Sequence, residues 1–328
     1  MIAAQKEILK DIKSPVQIEL DDWEKYYLTA ISFQDIPEKY SNFLKKSVGK
    51  MIRPTIIFLI SKACGKINDR TYLAALLVEL MHNASLVHDD IIDNSLYRHN
   101  KLSFQGQFGL NRALLFGDYL VSKIMEVAAK AKENQFLDIL INTFNKMAKG
   151  EIYQIDFKEK NSPDESVYYK IINYKTAALM SAACEMGCIS SSAVKEEILC
   201  FRDFGKHIGN AYQIRDDMFD YVTGINTGKT NGKDISDKLI TLPLLYSLEN
   251  GNKLISGKIM EYLKDGPINN ERSIEIIDFV QRSGGIEYAN KKSEEYIEKA
   301  RDILRKMDDS EEKESLWKLT DFIMHRKY

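Results

Sequence analysis

Between Pro54 and Pro163 the chain contains no proline, and its 17 glycines in 328 residues fall below the roughly 7% that is usual. A sandwich or barrel of short strands needs more turn residues than this. Within the same stretch, apolar residues recur at steps of three and four over 71–92, 112–131 and 136–157. That spacing is typical of α-helices with an apolar face. The sequence therefore predicts an all-α protein built from long helices.

The helical pattern continues over 196–221 and is interrupted at four places. These are Gly65-Lys66, 97–110, 161–163 and the polar, three-glycine segment 223–237. Length alone favours about two domains. No linker, repeat or change in composition marks a boundary, however, and we expect a single domain over residues 1–328.

The overall charge excludes several classes of protein. The chain has 46 basic and 48 acidic residues, a formal net charge of -2, without the basic excess that is typical of nucleic-acid binding. No apolar run approaches the roughly 18 residues that span a bilayer. The first residues are charged every few positions and lack the apolar core of a signal peptide. We expect a cytoplasmic protein with no transmembrane segment and no nucleic-acid partner.

The chain has four cysteines, Cys64, Cys184, Cys188 and Cys200. They form no CxxC pair and have no nearby histidine, so the pattern does not indicate a metal site or a disulfide framework. Cysteine is often buried as a small apolar residue. We therefore expect buried, reduced thiols.

Two acidic motifs with the spacing DDxxD follow apolar helical runs. The first Asp motif comprises Asp89, Asp90 and Asp93, and the second comprises Asp216, Asp217 and Asp220. Residues four apart lie on one face of a helix, and like charges placed there repel each other unless a cation lies between them. Mg²⁺ is typically held by one or two carboxylates together with water and phosphate oxygens. The six aspartates are therefore candidate Mg²⁺ ligands.

Two basic segments complement the acidic motifs. Residues 49–54 combine Lys50 and Arg53 with a proline that suits the start of a helix, and residues 228–234 form a glycine- and lysine-rich loop. Such segments can surround a phosphate with N–H and ammonium groups. Metal ligands together with separate basic segments indicate two diphosphates, one bound through metal and one held directly by cations.

The motifs together resemble the trans-polyprenyl diphosphate synthases, a family of chain-elongating prenyltransferases, in order along nearly the whole chain. The matching stretches are GKMIRP at 49–54, ELMHNASLVHDDIIDNS at 79–95, GDYL at 117–120, GEIYQ at 150–154, YKTAAL at 174–179, GNAYQIRDDMFDY at 209–221, GKTNGKD at 228–234 and TLPLLY at 241–246. The resemblance implies a bundle of about ten or more mostly antiparallel helices around a deep central cavity, the isoprenoid synthase fold. It also implies that an allylic diphosphate ionises with Mg²⁺ assistance and that its cation attacks the double bond of isopentenyl diphosphate.

The resemblance also implies a role for each matching residue. Asp89, Asp93 and Asp216 would bind Mg²⁺ directly, and Asp90, Asp217 and Asp220 would support them. The allylic diphosphate would be held by Arg98, Lys175, Thr176, Gln213 and Lys229. Isopentenyl diphosphate would be held by Gly49, Lys50, Arg53, His82 and His99. Of these residues, Asp89, Asp93, Asp216, Lys175 and Arg98 are the expected catalytic group.

The chain departs from the family pattern at two cationic positions. His99 stands where the family usually has a second arginine, so we expect it to bind isopentenyl diphosphate more weakly and with pH dependence near neutrality. Leu239 stands where the family has a lysine, and Lys238 lies one position earlier. Whether Lys238 replaces that cation is not determined by the sequence.

Product length depends on the side chains below the first Asp motif. Ala84 and Ser85, one helical turn before it, are small, and Met81 lies one turn further down. Family members that stop at farnesyl commonly carry an aromatic residue there. We therefore expect a long product of the octaprenyl type.

Three alternatives stay open. They are a short-chain farnesyl or geranylgeranyl diphosphate synthase, a non-catalytic subunit of a heteromeric synthase, and a terpene cyclase. The two complete Asp motifs argue against the subunit, and the isopentenyl diphosphate residues argue against the cyclase. The resemblance further implies a homodimer, and release of a long apolar product implies transient contact with a membrane.

Overall fold

The central element of the fold is a long helix, α5 (Asp69–Ile92), which ends within the first Asp motif. Asn68 caps its start, because its side chain accepts a hydrogen bond from Arg70 N at 2.9 Å while Asn68 N donates to Thr71 Oγ1 at 3.2 Å. Buried residues cover most faces of α5. The helix can therefore be surrounded by other helices, as the wide apolar pattern of its sequence predicts.

The computed structural model describes residues 2–98, 101–160, 163–222 and 233–326. The helices before and after α5 in the first half are α1 (Ile2–Lys13), α2 (Gln17–Ala30), α3 (Glu38–Lys46), α4 (Ile52–Cys64), α6 (Phe104–Phe108), α7 (Leu110–Lys130) and α8 (Asn134–Lys160). The helices of the second half are α9 (Glu165–Ile172), α10 (Ala178–Ser190), α11 (Lys195–Phe219), α12 (Lys233–Ser236), α13 (Leu242–Asn250), α14 (Lys253–Lys264), α15 (Asn270–Arg282), α16 (Gly285–Leu304) and α17 (Glu311–His325). A hairpin of two short antiparallel strands, β1 (Tyr97–Arg98) and β2 (Lys101–Leu102), follows α5.

Short connections fold successive long helices back on each other. α5 packs against α4, α7 and α10, and α11 packs against α10 and α16. α5 and α11 therefore both pack against α10. Because each of them ends in an Asp motif, their packing decides where the two motifs lie.

The apolar interior has two parts. The main core lies among α1–α8, α10, α11, α16 and α17, and includes the fully buried Trp23, Phe58, Leu77 and Phe136. The second core lies among α9 and α11–α16, and includes Phe157 of α8 and Tyr221. Tyr296 of α16 packs against both. α11 and α16 therefore contribute residues to both cores.

A π-helical segment (Asn173–Ala177) joins α9 to α10 and carries the YKTA sequence. A π-turn widens the helix locally and often occurs at functional sites. α8 approaches this segment closely at Gly150, where an added Cβ would lie 2.8 Å from Lys175 N. The glycine of GEIYQ therefore brings α8 against the segment that presents Lys175.

The predicted all-α fold and its long helices are confirmed. Two predicted breaks contain more structure than expected, because 97–110 includes the hairpin and α6, and 223–237 includes α12 in its described part. In the part of the chain that the structure covers, no helix combines the length and apolar character of a membrane span.

The prediction for the cysteines is partly wrong. All four are free thiols, and Cys184 and Cys188 are buried as expected. Cys64 is only partly buried, and Cys200 is exposed on α11. Cys200 lies near the start of that helix, next to the exposed Leu199, and helical spacing alone could not decide its burial.

Candidate active site

The two Asp motifs face one cavity of about 400 Å³. Its walls come from α5, α8, the π-helical segment and α11, together with residues 239–241. Asp89 and Asp93 line it from α5, and Asp216, Asp217 and Asp220 line it from α11. Residues more than 120 positions apart in the sequence therefore meet at one cavity.

The first Asp motif occupies the last turn of α5, where the negative end of the helix dipole disfavours further negative charge. Arg98 of β1 offsets part of this charge. Its Nε donates to Asp90 Oδ1 at 3.0 Å, and its Nη2 lies 2.9 Å from the same oxygen. Asp90 is buried in this pair. The hairpin after α5 therefore serves to place a guanidinium at the mouth of the cavity.

Asp89 has an unusual environment among the carboxylates. Burial raises its pKa to about 7, with Lys175 and Arg98 opposing this shift and Glu151 and Asp93 adding to it. A carboxyl group held in that range gains from any cation brought to it. A cation bound at Asp89 would therefore stabilise its charged form.

Lys175 reaches the cavity from the π-helical segment. Its Nζ lies 2.6 Å from Glu151 Oε1 and donates to Gln154 Oε1 at 3.4 Å. Burial lowers the pKa of Lys175, but the carboxylates of Glu151 and Asp89 outweigh it and the net shift is upward. Lys175 is therefore a buried, charged ammonium group held beside the first Asp motif.

The second Asp motif occupies the last turn of α11 and is held differently. Tyr168 OH donates to Asp217 Oδ2 at 2.6 Å, and Gln213 Nε2 donates to Asp217 Oδ1 at 2.8 Å. Thr176 Oγ1 in turn donates to Gln213 Oε1 at 2.7 Å. Asp217 is therefore buried with both oxygens bonded to protein donors, which suits a supporting role.

The other two aspartates of this motif contact residues outside α11. Asp220 Oδ2 accepts a hydrogen bond from Asp234 N at 2.5 Å, which ties α11 to α12. Asp216 forms an ion pair with Arg326, the residue that directly follows α17. A guanidinium thus stands beside Asp216 where the sequence predicted a metal ion.

Arg53 and His82 line the cavity from α4 and α5. Burial lowers the pKa of Arg53, and Glu79 and Tyr212 oppose that shift. None of the described residues accepts a hydrogen bond from the buried Arg53 Nε. A buried guanidinium N–H without an acceptor fits an anionic ligand at this position.

His82 lines the cavity, whereas Lys50 lies in the loop before α4, outside the residues that line it. Burial, with the charges of Arg53 and Arg98, lowers the pKa of His82 well below its usual range, so the ring is neutral. Burial and the charge of Arg326 lower the pKa of Lys50. The predicted isopentenyl diphosphate residues therefore include one neutral donor among the cations.

The loop that holds Gly49 and Lys50 makes its left-handed turn at Met51 and not at the glycine. A Cβ at Gly49 would meet no atom within 4 Å. The left-handed residue is Met51, with φ 52°, immediately before α4. Met51 therefore makes the turn that presents Lys50 and Arg53.

The metal-ligand prediction concerns donors on two separate helices. Nowhere in the described ranges do three His, Cys, Asp or Glu side chains converge tightly enough to form a ready-made metal site. Mg²⁺ needs only one or two carboxylates when phosphate oxygens and water complete its shell. The hard oxygen donors of both motifs, with Asp216 already beside a cationic guanidinium, fit that kind of metal.

Several predicted residues are placed elsewhere or lie outside the described ranges. His99 and Lys229 belong to the latter, with Gly228 and Gly232. Leu239 lines the cavity, whereas Lys238 has a left-handed backbone, φ 59°. An apolar side chain therefore lies at the wall where the family pattern has a lysine.

The three chain-length candidates separate in the structure. Ser85 lines the cavity, four residues before Asp89. Ala84 and Met81 are buried in the main core. Leu86, Met147 and Leu179 supply apolar lining beyond them. Ser85 is therefore the member of the predicted set that lines the cavity.

Sequence reasoning missed four residues of the site, Glu151, Tyr168, Tyr212 and Arg326. Glu151 lies inside GEIYQ, and its carboxylate could have been matched with the lysine of YKTA. Tyr212 lies four residues before Asp216, on the same face of α11. Tyr168 and Arg326 lie outside every motif, and only the tertiary contacts reveal them.

The chain is similar to a known protein family over most of its length. A family model described as Polyprenyl synthetase matches residues 35–280. The octaprenyl diphosphate synthase of Haemophilus influenzae is 28% identical over 287 residues, 87% of each chain. The geranylgeranyl diphosphate synthase of Methanosarcina mazei is 30% identical over 298 residues, 88% of this chain and 90% of the relative.

A solved structure supports the same relationship. The polyprenyl synthase of Caulobacter crescentus CB15, in complex with calcium and isoprenyl diphosphate, superimposes with a TM-score of 0.88. The two chains are 25% identical, and the match covers 98% of each. Relatives of this kind include long-chain and short-chain synthases, so the likeness does not decide product length.

Proposed function

The chain belongs to the polyprenyl synthetase family and is a trans-prenyltransferase, and from this premise we propose that it adds isopentenyl diphosphate to an allylic diphosphate in a Mg²⁺-dependent reaction. The observation that carries the proposal is the meeting of both Asp motifs at one cavity that also holds Lys175, Arg98, Arg53 and His82. A site with acidic groups on two walls and cations between them suits two diphosphates and divalent metal.

Mg²⁺ would be held by Asp89 and Asp93 on one side and Asp216 on the other. When bound, it neutralises diphosphate charge and so makes diphosphate a better leaving group. Asp90 and Asp217 would position these ligands, since each is already bonded within the protein. Asp220 would support the start of α12, since it accepts a hydrogen bond from Asp234 N.

The protein side chains would act on the substrates in separate places. Lys175 and Arg98, with Gln213 and Thr176, would hold the allylic diphosphate as its C–O bond breaks. Arg53, Lys50 and the neutral His82 would hold isopentenyl diphosphate. A new C–C bond forms, diphosphate departs and a proton is lost from the isopentenyl unit. Apolar wall residues such as Leu86 and Leu179 would keep water from the allylic cation.

The product is proposed to be long, of the octaprenyl type, because the small Ser85 lines the cavity directly below Asp89. Ser85→Phe is expected to shorten the product by obstructing that wall. Ala84→Phe is the matched variant, since Ala84 is fully buried and a phenyl ring there would overpack the main core and lower stability. Product sizing by reversed-phase chromatography, with melting temperatures, checks both. An unchanged product distribution in the Ser85→Phe variant would show that Ser85 does not contact the growing chain.

A homodimer is proposed from the exposed apolar side chains of α7 and α8. They are Leu110, Leu114, Leu115, Met125, Ile141, Ile152 and Ile155. Contiguous exposed apolar surface is typical of protein interfaces. Light scattering of the wild type and Leu115→Glu tests this, with a dimer expected only for the wild type. We also propose that the enzyme acts in the cytoplasm and meets a membrane transiently when its product is released.

The reaction itself is tested with farnesyl diphosphate, radiolabelled isopentenyl diphosphate and Mg²⁺, followed by sizing of the products. We expect extension of the primer over several cycles. Products that stop at geranylgeranyl length would assign the chain to the short-chain synthases instead. A protein that binds both diphosphates and elongates neither would be better described as a subunit of a heteromeric synthase.

A further inference from the structure

Arg326 lies far from every sequence motif and yet contacts an aspartate of the second Asp motif. It follows the last residue of α17 and is 8% exposed. Its Nη2 pairs with Asp216 Oδ1. A buried arginine needs a compensating partner, and here that partner is a carboxylate of the second Asp motif.

The contacts of Arg326 are shaped to its guanidinium. Its Cζ lies 3.7 Å from the centre of the Tyr212 ring and 5.5 Å from that of Phe219. Tyr212, Asp216 and Phe219 are spaced i, i+4 and i+7, so they form one face of α11. Stacking on an aromatic ring and pairing with a carboxylate is the environment that arginine favours. This face of α11 therefore forms a binding site for a cation.

The charge of Arg326 also affects the pKa of residues other than Asp216. It contributes to the lowered pKa of Lys50, where burial is the larger cause, and likewise to that of Arg215. Arg326 thus lies within electrostatic reach of both the second Asp motif and the loop before α4. With Arg326 present, that part of the site carries less negative charge than the aspartates alone would give it.

We propose that Arg326 is an internal cation that occupies the second Asp motif of the metal-free protein and competes with metal for Asp216. The proposal rests on the proposed function for the identity of the metal and deepens it. A carboxylate at the end of a helix needs a positive partner, and Arg326 supplies one until the metal arrives. Metal must displace the guanidinium, so the enzyme without substrate binds metal weakly. Metal fills the site when a bound diphosphate contributes further oxygen ligands.

The test measures metal binding without turnover. Free Mn²⁺ is followed by electron paramagnetic resonance during titration of the wild type, Arg326→Gln and Arg326→Lys, with no diphosphate present. We expect Arg326→Gln to bind Mn²⁺ at least about fivefold more tightly, the lower end of typical coupling between two sites. Arg326→Lys keeps the charge and is expected to stay closer to the wild type.

Two controls separate competition at Asp216 from a general effect of charge. Lys50→Gln removes a positive charge from the same site without touching Asp216, and Arg282→Gln removes one from the surface. Both are expected to change Mn²⁺ affinity less than Arg326→Gln does. In an Asp216→Asn background, Arg326→Gln is expected to have no further effect, because the shared partner is gone. Equal gains for Arg326→Gln and Lys50→Gln would overturn the proposal.

The outcome is independent of whether the reaction has been assigned correctly. A fivefold gain in Mn²⁺ affinity supports the internal cation even if no primer is elongated, in which case the proposed reaction alone fails. Normal elongation by a protein whose Mn²⁺ affinity is unchanged by Arg326→Gln overturns the internal cation and leaves the reaction standing. Melting temperatures of the metal-free variants show that each is folded under the titration conditions.

Discussion

The two Asp motifs share one sequence pattern and one position at the end of a helix, but the protein surrounds them differently. The first is bordered by Arg98, which follows it in the chain, and by Lys175 of the π-helical segment. The second is held by the neutral donors of Tyr168 and Gln213 and by the remote Arg326. Identical carboxylate spacing therefore leads to one motif beside two cations and another held largely by neutral donors of the surrounding helices.

This contrast predicts that the first motif matters most for turnover. Asp89 lines the cavity, is close to Lys175 and has its pKa raised to about 7 by burial. We expect Asp89→Asn to lower kcat by about 10²–10³-fold, the usual cost of removing a key electrostatic group. Steady-state kinetics with the exposed Asp138→Asn as the matched control checks this. A loss of less than tenfold would mean that the two motifs are not functionally distinct in this way.

Glu151 sharpens the comparison, because it holds Lys175 at 2.6 Å without belonging to either motif. Loss of a partner that orients a catalytic group typically costs about 10–100-fold. We expect Glu151→Gln to lower kcat by about tenfold with little change in melting temperature. Glu159→Gln, an exposed change on the same helix, provides the control. Wild-type kcat in Glu151→Gln would show that Lys175 is placed by the π-helical segment alone.

The second motif should reveal its structural character in stability. Tyr168→Phe removes the donor to Asp217 Oδ2 and leaves a buried carboxylate oxygen with one bond fewer. We expect the free energy of unfolding to fall by about 1–3 kcal/mol. Denaturant unfolding measures this, and Tyr26→Phe at the surface is the reference. Equal stability of the two variants would argue that Asp217 is supported chiefly by Gln213.

The smallest effect is expected at His82, two turns before the first motif. Because the folded protein lowers its pKa, the unfolded chain takes up a proton at His82 first, and stability falls as pH drops below about 6.5. His82→Gln should keep KM for isopentenyl diphosphate within about threefold and flatten the loss of stability between pH 7 and pH 5. Unfolding curves across that range provide the measurement. An undiminished slope in the variant would place the titration elsewhere.

Long, strongly periodic segments were predictable because burial on several faces leaves a clear pattern at steps of three and four. The helix over 71–92 is found as Asp69–Ile92, and that over 136–157 as Asn134–Lys160. The hairpin after α5 was not predictable, since strands of two residues carry too little periodicity. The burial of Ala84 and the exposure of Ser85 to the cavity differ by one helical position, about 100° of rotation, which sequence spacing could not orient.

The amino-acid sequence by itself determined the helical class, the two carboxylate motifs and the basic segments that complement them, because these depend on local spacing and residue type. Tertiary structure alone decided which aspartates face the cavity and which are bonded to the scaffold. It also brought Tyr168 and Arg326 to the second motif. Tyr168 is 49 positions from Asp217 in the sequence, and Arg326 is 110 positions from Asp216. The physical reason is that side chains so distant meet only after the helices between them have packed.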